Sequence, residues 1–561
     1  MSGEFMMIDD MPVEINGEKN ILSLIRKAGI DLPTFCYHSE LSVYGACRMC
    51  MVENKRGGME AACSTPPKAG MEIYTNTPKL RKYRKMILEL LLSDHCRDCT
   101  TCDKNGECKL QELAQRFGIS RVRFQNTAEQ PKLDTSSLCI QRDASKCILC
   151  GDCVRVCDEV QNVGAIDFMY RGSKMVVGTT FDAPIAETRC VGCGQCAAVC
   201  PTGAIVIKND KDRVWQVLHD PNIRVIVQIA PAVRVGIGSS LGQKDGQNTM
   251  GKIVAALKRL GVDEVFDTAT GADLTVMEEA NEFMSRLETE EKLPLFTSCC
   301  PAWIQYAEKM HPELLPNIST CRSPMEMFGS VLKEKYKQSE RRTVVIAVMP
   351  CTAKKFEAAR EEFSESGVPF VDYVITTQEL IQMIREAGIV FSELEPEAID
   401  VPFDVQSGAG VIFGVTGGVT EAVIRRLSDK SVTALRAIAF NGVRGMKGLK
   451  ETSVTYNDRE LKIAIVSGLR NAERLISRIQ KGEVQYDFVE VMACPGGCIS
   501  GAGQPASDFG GKQKRSEGLY AADKMCSVKR SEENPVITSL YAGLLKGKAH
   551  RLLHVKYSAE K

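Results

Sequence analysis

Residues 490–505 read E-V-M-A-C-P-G-G-C-I-S-G-A-G-Q-P, and this stretch decides what the C-terminal half of the chain must be. The run Y-D-F-V-E-V at 486–491 has the length and the β-branched, aromatic content of a buried strand, and Cys494 follows its carboxyl end. Two further runs repeat the arrangement: L-P-L-F-T-S precedes Cys299 and Cys300, and T-V-V-I-A-V precedes Met349, Pro350 and Cys351. Ligands of open α/β sheets bind in the crevice outside the carboxyl ends of the strands. Cys300, Cys351 and Cys494 are therefore expected to meet there, although long stretches of chain separate them. With Cys498 they form a set of thiols able to hold an iron cluster, and Gly496 and Gly497 let the backbone crowd against it. Apolar runs alternate with amphipathic helices from about Arg213 onward, and helices are expected at 274–287, 377–386, 418–427 and 471–479. One large α/β domain is expected over residues 210–561.

The 24 cysteines in 561 residues far exceed average usage, and a chain this long needs no disulfide staples. Thiols in this number imply metal and a reducing, cytoplasmic setting. Lys plus Arg and Asp plus Glu both total 71, so the net charge gives no argument for nucleic acid or an anionic membrane surface. No apolar run approaches the roughly 18 residues that span a bilayer, and no secretory leader pattern opens the chain. At a prior of about 150 residues per domain, the length implies about three to four units. The cysteine spacing draws them.

Cys36, Cys47, Cys50 and Cys63 fall as C-x10-C-x2-C-x12-C in a segment that mixes short strands with one helix near 21–28. This reads as a [2Fe-2S] ferredoxin-like module over residues 1–80, with a first gap longer than the plant-type spacing. A structural zinc site stays open, although only one C-x2-C pair is present. His95, Cys99, Cys102 and Cys108 follow as H-x3-C-x2-C-x5-C within residues 81–126, and on ligand type alone they suit zinc as well as an iron-sulfur cluster. Within 127–209 the spacing C-x2-C-x2-C-x3-C occurs twice, at Cys147, Cys150, Cys153, Cys157 and at Cys190, Cys193, Cys196, Cys200. In two-cluster ferredoxins the fourth cysteine of each run ligates the other cluster. Cys147, Cys150, Cys153 and Cys200 are thus expected to hold one [4Fe-4S] centre, and Cys157, Cys190, Cys193 and Cys196 the second. Cys96 lies off the pattern. Cys139, Cys321 and Cys526 lack ligand spacing and read as buried apolar residues.

The segments T-S-C-C-P, M-P-C-T-A-K-K and A-C-P-G-G-C together resemble the signature of the [FeFe]-hydrogenases, and the likeness covers essentially the whole chain. The first cysteine group resembles the N-terminal β-grasp domain shared by those enzymes and the large iron-sulfur subunit of respiratory NADH dehydrogenase. The His95 group resembles the His-ligated [4Fe-4S] site that follows it in both families. The resemblance implies a multidomain α+β and α/β protein with one [2Fe-2S] cluster, three accessory [4Fe-4S] clusters and a catalytic H-cluster domain. In the H-cluster, a cubane would be held by Cys300, Cys351, Cys494 and Cys498. Cys498 would bridge to a diiron unit carrying carbon monoxide, cyanide and an azadithiolate. The implied activity is reversible reduction of protons to dihydrogen with electrons from ferredoxin, as a ferredoxin hydrogenase, after maturation proteins have built the diiron unit.

Around that unit the resemblance places Lys354, Pro231, Pro350, Met349, Met492 and Phe413. It makes Cys299 the proton-passing group, followed by Glu279, Ser319, Glu282 and Arg286. Glu279, Glu282 and Arg286 sit at i, i+3 and i+7 of an expected helix and share one face, although such a glutamate face on its own is more commonly just solvated. Consecutive side chains alternate on a strand, so Cys299 is expected to point away from the partners of Cys300. Alone, Lys354 would be an ordinary surface lysine and the methionines ordinary core. Ala232, Ala302, Ala502, Met325 and Glu532 depart from the commonest family pattern without removing a ligand or a relay residue.

Two rival readings remain. One is the catalytic subunit of an NAD(P)-linked or electron-bifurcating complex with flavoprotein subunits, and the other is a non-enzymatic hydrogen sensor or iron-sulfur scaffold. V-G-I-G-S-S-L-G at 235–242 fails the G-x-G-x-x-G spacing, so no dinucleotide site is expected in the chain itself. The NADH-dehydrogenase subunit is a rival only for the N-terminal cysteine groups, since that family does not continue into T-S-C-C-P or A-C-P-G-G-C.

Overall fold

Residues 4–124, 133–428, 442–507 and 510–558 are described by a computed structural model. Contacts gather the chain into two units, Met1–Thr188 with Cys196–Val206 and Arg189–Gln195 with Ile207–Lys561. No helix among the described residues is long and apolar enough to cross a membrane.

In the first unit a five-stranded sheet runs in the order Met11–Glu14, Phe5–Ile8, Glu72–Tyr74, Met51–Asn54, Met59–Ala61. Phe5–Ile8 and Glu72–Tyr74 are parallel, and the other neighbours are antiparallel. The helix expected near 21–28 spans Ile21–Lys27, where Asn20 caps it by accepting the Ser23 amide at 3.0 Å. Its Ile21, Leu22, Leu24 and Ile25 share one core with Met6, Ile8, Val52 and Ile73. The helix Pro78–Asp94 starts on a Thr77 cap with proline in its first turn and ends at His95. Arg84 on its buried side donates to the Met49 carbonyl at 3.1 Å and the Met51 carbonyl at 2.7 Å, which pins the helix beside the first cysteine group. Farther on, Asp152–Arg155 runs into a π-turn at Val156–Val160 that carries Cys157.

Among its described residues the second unit holds two four-stranded sheets. One is wholly parallel, in the order Glu264–Asp267, Ile223–Ile229, Arg342–Met349, Tyr373–Thr376. Its two central strands are buried over most of their length, which is why both read as continuous apolar runs. The other sheet runs Leu295–Phe296, Phe488–Met492, Arg459–Ser467, Leu449–Tyr456, and only its last pair is antiparallel. Cys351 therefore follows a strand of the first sheet, whereas Cys300 and Cys494 follow adjacent strands of the second. The single crevice expected from the sequence is instead shared by two sheets.

The strand before Cys300 is also shorter than its apolar run. Thr297 still donates to the Val489 carbonyl at 3.0 Å, but the Ser298 hydroxyl turns to the Cys321 carbonyl at 2.6 Å. Cys299 lies in the connection, and Cys300, with extended backbone, caps the helix Pro301–Met310. Alternation along a strand is thus not what directs Cys299. The helices Thr377–Glu386 and Gly418–Leu427 form where expected, the former behind a capping box in which Thr376 and Glu379 satisfy each other's amides. The helix at 471–479 is the inner part of Leu469–Gln480, and that at 274–287 extends to Ala269–Thr289.

The long helix Ala269–Thr289 is anchored by Asp273, a wholly buried carboxylate. Asp273 accepts the Ser407 amide at 3.2 Å, the Ser407 hydroxyl, the Ser531 hydroxyl at 2.7 Å and the Asn534 side-chain amide at 2.9 Å. One side chain thereby ties the helix to two distant segments. Asp273→Ala leaves these donors unpaired at a cost of about 1–3 kcal/mol each. It is expected to lower the denaturant midpoint at unchanged slope, with Asp273→Asn, which keeps an acceptor, losing less.

Candidate active site

Four sulfurs from three segments face one another in the second unit. Cys300 accepts the Ala493 amide at 3.4 Å, and Cys494 accepts Nε2 of Gln195 at 3.2 Å. Burial pushes all four thiols up, Cys351 to about 12, and three are raised further by neighbours in the same group: Cys351 by Cys300, Cys494 by Cys351, Cys300 and Cys498, and Cys498 by Cys351 and Cys300. Sulfurs so placed cannot all ionise unless a cation replaces their protons. All 24 cysteines are free of disulfides, and the donor set is soft and thiolate-rich, which fits iron-sulfur ligation.

The turn between Cys494 and Cys498 depends on glycine. Gly497 has φ of +92°, and a Cβ there would meet the Thr416 amide nitrogen at 2.6 Å and the Val415 carbonyl carbon at 2.8 Å. The Gly497 amide closes the turn on the Cys494 carbonyl at 3.0 Å. Met492 and Phe413 pack with Cys299, Ala272, Val276 and Ala409 against Cys300 and Cys498. Met349, by contrast, packs into the core of the parallel sheet, one step before Pro350 and Cys351. Gln504 donates to the Ala232 carbonyl at 2.8 Å and fills the space beside Gly236, just after Pro231. Lys354 lies beside the cysteines, with Nζ 3.4 Å from the Cys299 carbonyl and 2.6 Å from Glu357. Burial opposes its charge, but Glu357 and the sulfurs of Cys351 and Cys299 hold the ammonium above the ordinary lysine range.

Cys299 lies between Glu279 and the sulfurs of Cys300 and Cys498, within electrostatic reach of all three. Its thiol is raised well above the usual range by burial and by the charge of Glu279. Glu279 is wholly buried, and burial with the Glu282 charge pushes its carboxyl up to about 8. The Ser319 hydroxyl and Ser298 backbone temper that rise, yet neither carboxylate oxygen closes a hydrogen bond of full geometry. Ser319 donates to Glu282 at 3.0 Å, and Glu282 binds Arg286 at 2.5 Å. Arg286 also donates to the Lys292, Asn317 and Ile318 carbonyls and borders a cavity of about 720 Å³. Glu279, Glu282 and Arg286 do share one helix face, and that face leads from Cys299 to the cavity.

In the first unit, Cys36 accepts the Cys47 amide at 3.3 Å, Cys47 accepts the Phe35 amide at 3.4 Å, and Cys63 lies within electrostatic reach of Cys36, Cys47 and Cys50. Cys99, Cys102 and Cys108 are neighbours, and the buried Nδ1 of His95 has no hydrogen-bond partner. Cys147, Cys150, Cys153 and Cys200 line one pocket with Ile148, Val177 and Ile205. Cys157 and Cys196 belong to the first unit and Cys190 and Cys193 to the second.

Three residues escaped the sequence reading. Glu357 stands three residues after Lys354, a spacing that puts both on one helix face, and this was the available signal. Gln195 lies between cysteines of the repeated spacing. It binds Cys494 and the Ser500 carbonyl at 3.1 Å, while Thr352 binds the Gly192 carbonyl at 2.7 Å, so the loop carrying Cys193 abuts Cys494. Glu326 is buried with both oxygens unpartnered, and no local pattern marks it. Among the departures, Met325 uses its carbonyl to accept Gln228 at 3.0 Å and Ala502 to accept Gln378 at 3.1 Å; Ala302 is buried beside Cys300. Nothing in the structure explains Glu532.

Comparison with known proteins places relatives along the whole chain. Residues 223–502 match the family described as iron only hydrogenase large subunit, C-terminal domain, and 511–560 match the iron hydrogenase small subunit. Upstream, 6–78 match a 2Fe-2S iron-sulfur cluster binding domain, 84–123 the NADH-ubiquinone oxidoreductase-G iron-sulfur binding region, and 146–204 a 4Fe-4S dicluster domain. The NADP-reducing hydrogenase subunit HndD of Solidesulfovibrio fructosivorans is 42% identical over 99% of both chains. Iron hydrogenase 1 of Clostridium pasteurianum is 35% identical over 98% of this chain and 99% of that one. A solved apo [FeFe]-hydrogenase from Chlamydomonas reinhardtii covers 62% of this chain and 98% of its own, with a TM-score of 0.53 and 40% identity.

The Gly497 turn offers a direct test of how the sulfur group is assembled. Gly497→Ala forces backbone against backbone at an unfavourable φ, at a cost of about 1–3 kcal/mol or more. After anaerobic reconstitution it is expected to bind less iron per chain than wild type. Gly547→Ala, where a Cβ meets open space, is expected to leave iron content unchanged.

Proposed function

The chain belongs to the iron-only hydrogenase family, and from that premise we propose that it interconverts protons and dihydrogen with ferredoxin as its one-electron partner. It is a hydrogenase of the [FeFe] type, with iron-sulfur domains upstream of the catalytic one. The observation that carries the finer reading is the convergence of Cys300, Cys351, Cys494 and Cys498 beside a Cys299 whose thiol faces a buried acid. In this reading those four residues would hold the H-cluster, with Cys498 also serving its diiron unit. When bound, the H-cluster supplies the redox-active iron at which dihydrogen is made or split.

The residues of the chain do the remaining work. Lys354, kept charged by Glu357, would offer an ammonium donor to anionic ligands of the bound cluster, and Met492 and Phe413 would keep water from it. Cys299 holds the transferable proton at Sγ and exchanges it with Glu279, which is protonated at neutral pH because burial opposes its charge. Ser319 connects Glu279 to Glu282 through a rotatable hydroxyl, and Arg286 fixes Glu282 at the cavity end. The accessory clusters, when bound, would supply the electrons, and the Cys193 loop against Cys494 supports the two-[4Fe-4S] domain as the nearest of them to the catalytic sulfurs. The domain limits 1–80, 81–126, 127–209 and 210–561 follow the cysteine groups. Free thiols in this number suit a reducing cytoplasm.

A second reading makes the chain the hydrogen-reacting subunit of an NADP-linked complex. It is favoured by the printed name of the 42% identical relative, an NADP-reducing hydrogenase subunit. Flavoprotein subunits that co-purify and are needed for NADPH-driven dihydrogen evolution would support it. A chain that evolves dihydrogen from reduced ferredoxin alone supports the first reading.

Two variants test the relay. Cys299→Ala and Glu279→Gln are expected to lower turnover by roughly 10²–10⁴-fold, while the infrared bands of iron-bound carbon monoxide and cyanide persist. Loss of those bands would instead make these residues structural. The raised carboxyl of Glu279 loses its proton as pH rises through about 8, so proton reduction is expected to fall across that range. A carboxylic-acid infrared band that titrates with it should be missing in Glu279→Gln.

A further inference from the structure

Cys321 has no part in the proposed chemistry, yet it is wholly buried next to the relay, with Sγ 3.9 Å from Oε2 of Glu282. On the other side stands His554 from the C-terminal segment, whose Nδ1 is 2.8 Å from the Thr320 hydroxyl. One ligand atom from each of Glu282, Cys321 and His554 lies within 4.8 Å of the others. We propose that these three residues form a binding site for one thiophilic divalent cation of the zinc class, and that the cation silences the enzyme by seizing the relay carboxylate.

The donor chemistry fits. Thiolate, imidazole and carboxylate are the ligands zinc takes, at bonds of roughly 2.0–2.3 Å, and a closure of about 1 Å brings the three groups to tetrahedral spacing with water as fourth ligand. The imidazole is already oriented for the task. Nε2 of His554 faces Glu278 at 2.9 Å, and Tyr541 also donates to Glu278. Despite its burial, Glu278 is held below the ordinary carboxyl range by these two partners, so Nε2 carries the hydrogen and the Nδ1 lone pair accepts from the Thr320 hydroxyl, a contact that a cation would displace. A carboxylate holding the far nitrogen of a histidine is the usual outer support of a zinc ligand. Glu282 spends Oε1 on Arg286, while Oε2, which accepts the Ser319 hydroxyl at 3.0 Å and the Thr320 amide at 2.9 Å, lies on the side of the thiol.

The charge balance also favours a cation. Arg286 opposes it, but Glu278, Glu279 and Glu282 surround the thiol, and with burial they push Cys321 well above its usual range. A field that strengthens the hold on a proton likewise strengthens the hold on a divalent ion. Binding exchanges the thiol proton for metal, and the proton leaves by the cavity of about 720 Å³ that Thr320, Arg286, His550 and His554 border. The ion enters by the same route. Inhibition rests on the relay reading of Glu282; the site itself does not.

The test uses matured holoenzyme under anaerobic conditions with zinc chloride as the probe, in a Cys96→Ser background to remove a partly exposed competing thiol. X-ray absorption at the zinc edge is expected to show one added ion with one sulfur, one nitrogen and oxygen neighbours, removable by chelator. Glu278→Gln should weaken binding roughly 10–100-fold. Cys321→Ala should evolve dihydrogen like the parent but no longer respond to zinc, and His554→Gln, with a different side chain altered, should also lose the ion. Zinc bound without sulfur, or bound equally by Cys321→Ala and His554→Gln, overturns the proposal. Zinc bound at the three residues with turnover unchanged would keep the site and overturn the relay through Glu282.

Discussion

Four sulfurs buried side by side cannot all carry charge without a cation among them, and the catalytic half of this protein is organised around that constraint. Cys300, Cys351, Cys494 and Cys498 sit where burial alone would keep every thiol protonated. Only a metal centre turns such a group from a cost into an anchor. The two sheets, the glycine turn at 496–497 and the Gln195 contact all serve to bring those atoms together from separate stretches of chain. A metal held by these four sulfurs would link its binding to the final fold of this region, since the group draws on both sheets.

The same low-dielectric interior that opposes bare thiolates also sorts the acids around them. Glu279 stays protonated beside Cys299, whereas Glu357 is paired with Lys354 and Glu282 is tied to Arg286, Ser319 and Thr320. One acid can therefore give up a proton while others orient cations and hydroxyls, and position alone assigns the difference. Asp273, equally buried, accepts from Ser407, Ser531 and Asn534 and holds the relay helix in place.

Local chemistry made much of this legible in the residues themselves. The Thr376 and Glu379 pair announces a helix start by mutual capping, and the matching of Glu279, Glu282 and Arg286 to one face follows from helical periodicity. The cysteine spacings mark the same segments that the iron-sulfur and hydrogenase families match. Strand partners were not legible in the same way. Leu295–Phe296 pairs with Phe488–Met492 rather than joining Arg342–Met349, and that choice depends on contacts nearly the whole domain apart. Strand alternation does not reach Cys299, because Ser298 leaves the ladder for the Cys321 carbonyl. Gln195 and Glu326 carry no motif, and their surroundings exist only once the chain has folded.

Iron-edge anomalous diffraction from crystals of the matured protein examines the central claim most directly. The account predicts iron within about 2.3 Å of the sulfurs of Cys300, Cys351, Cys494 and Cys498, with none bound to Cys299. Iron ligated by Cys299, or absent from any of those four sulfurs, would contradict it.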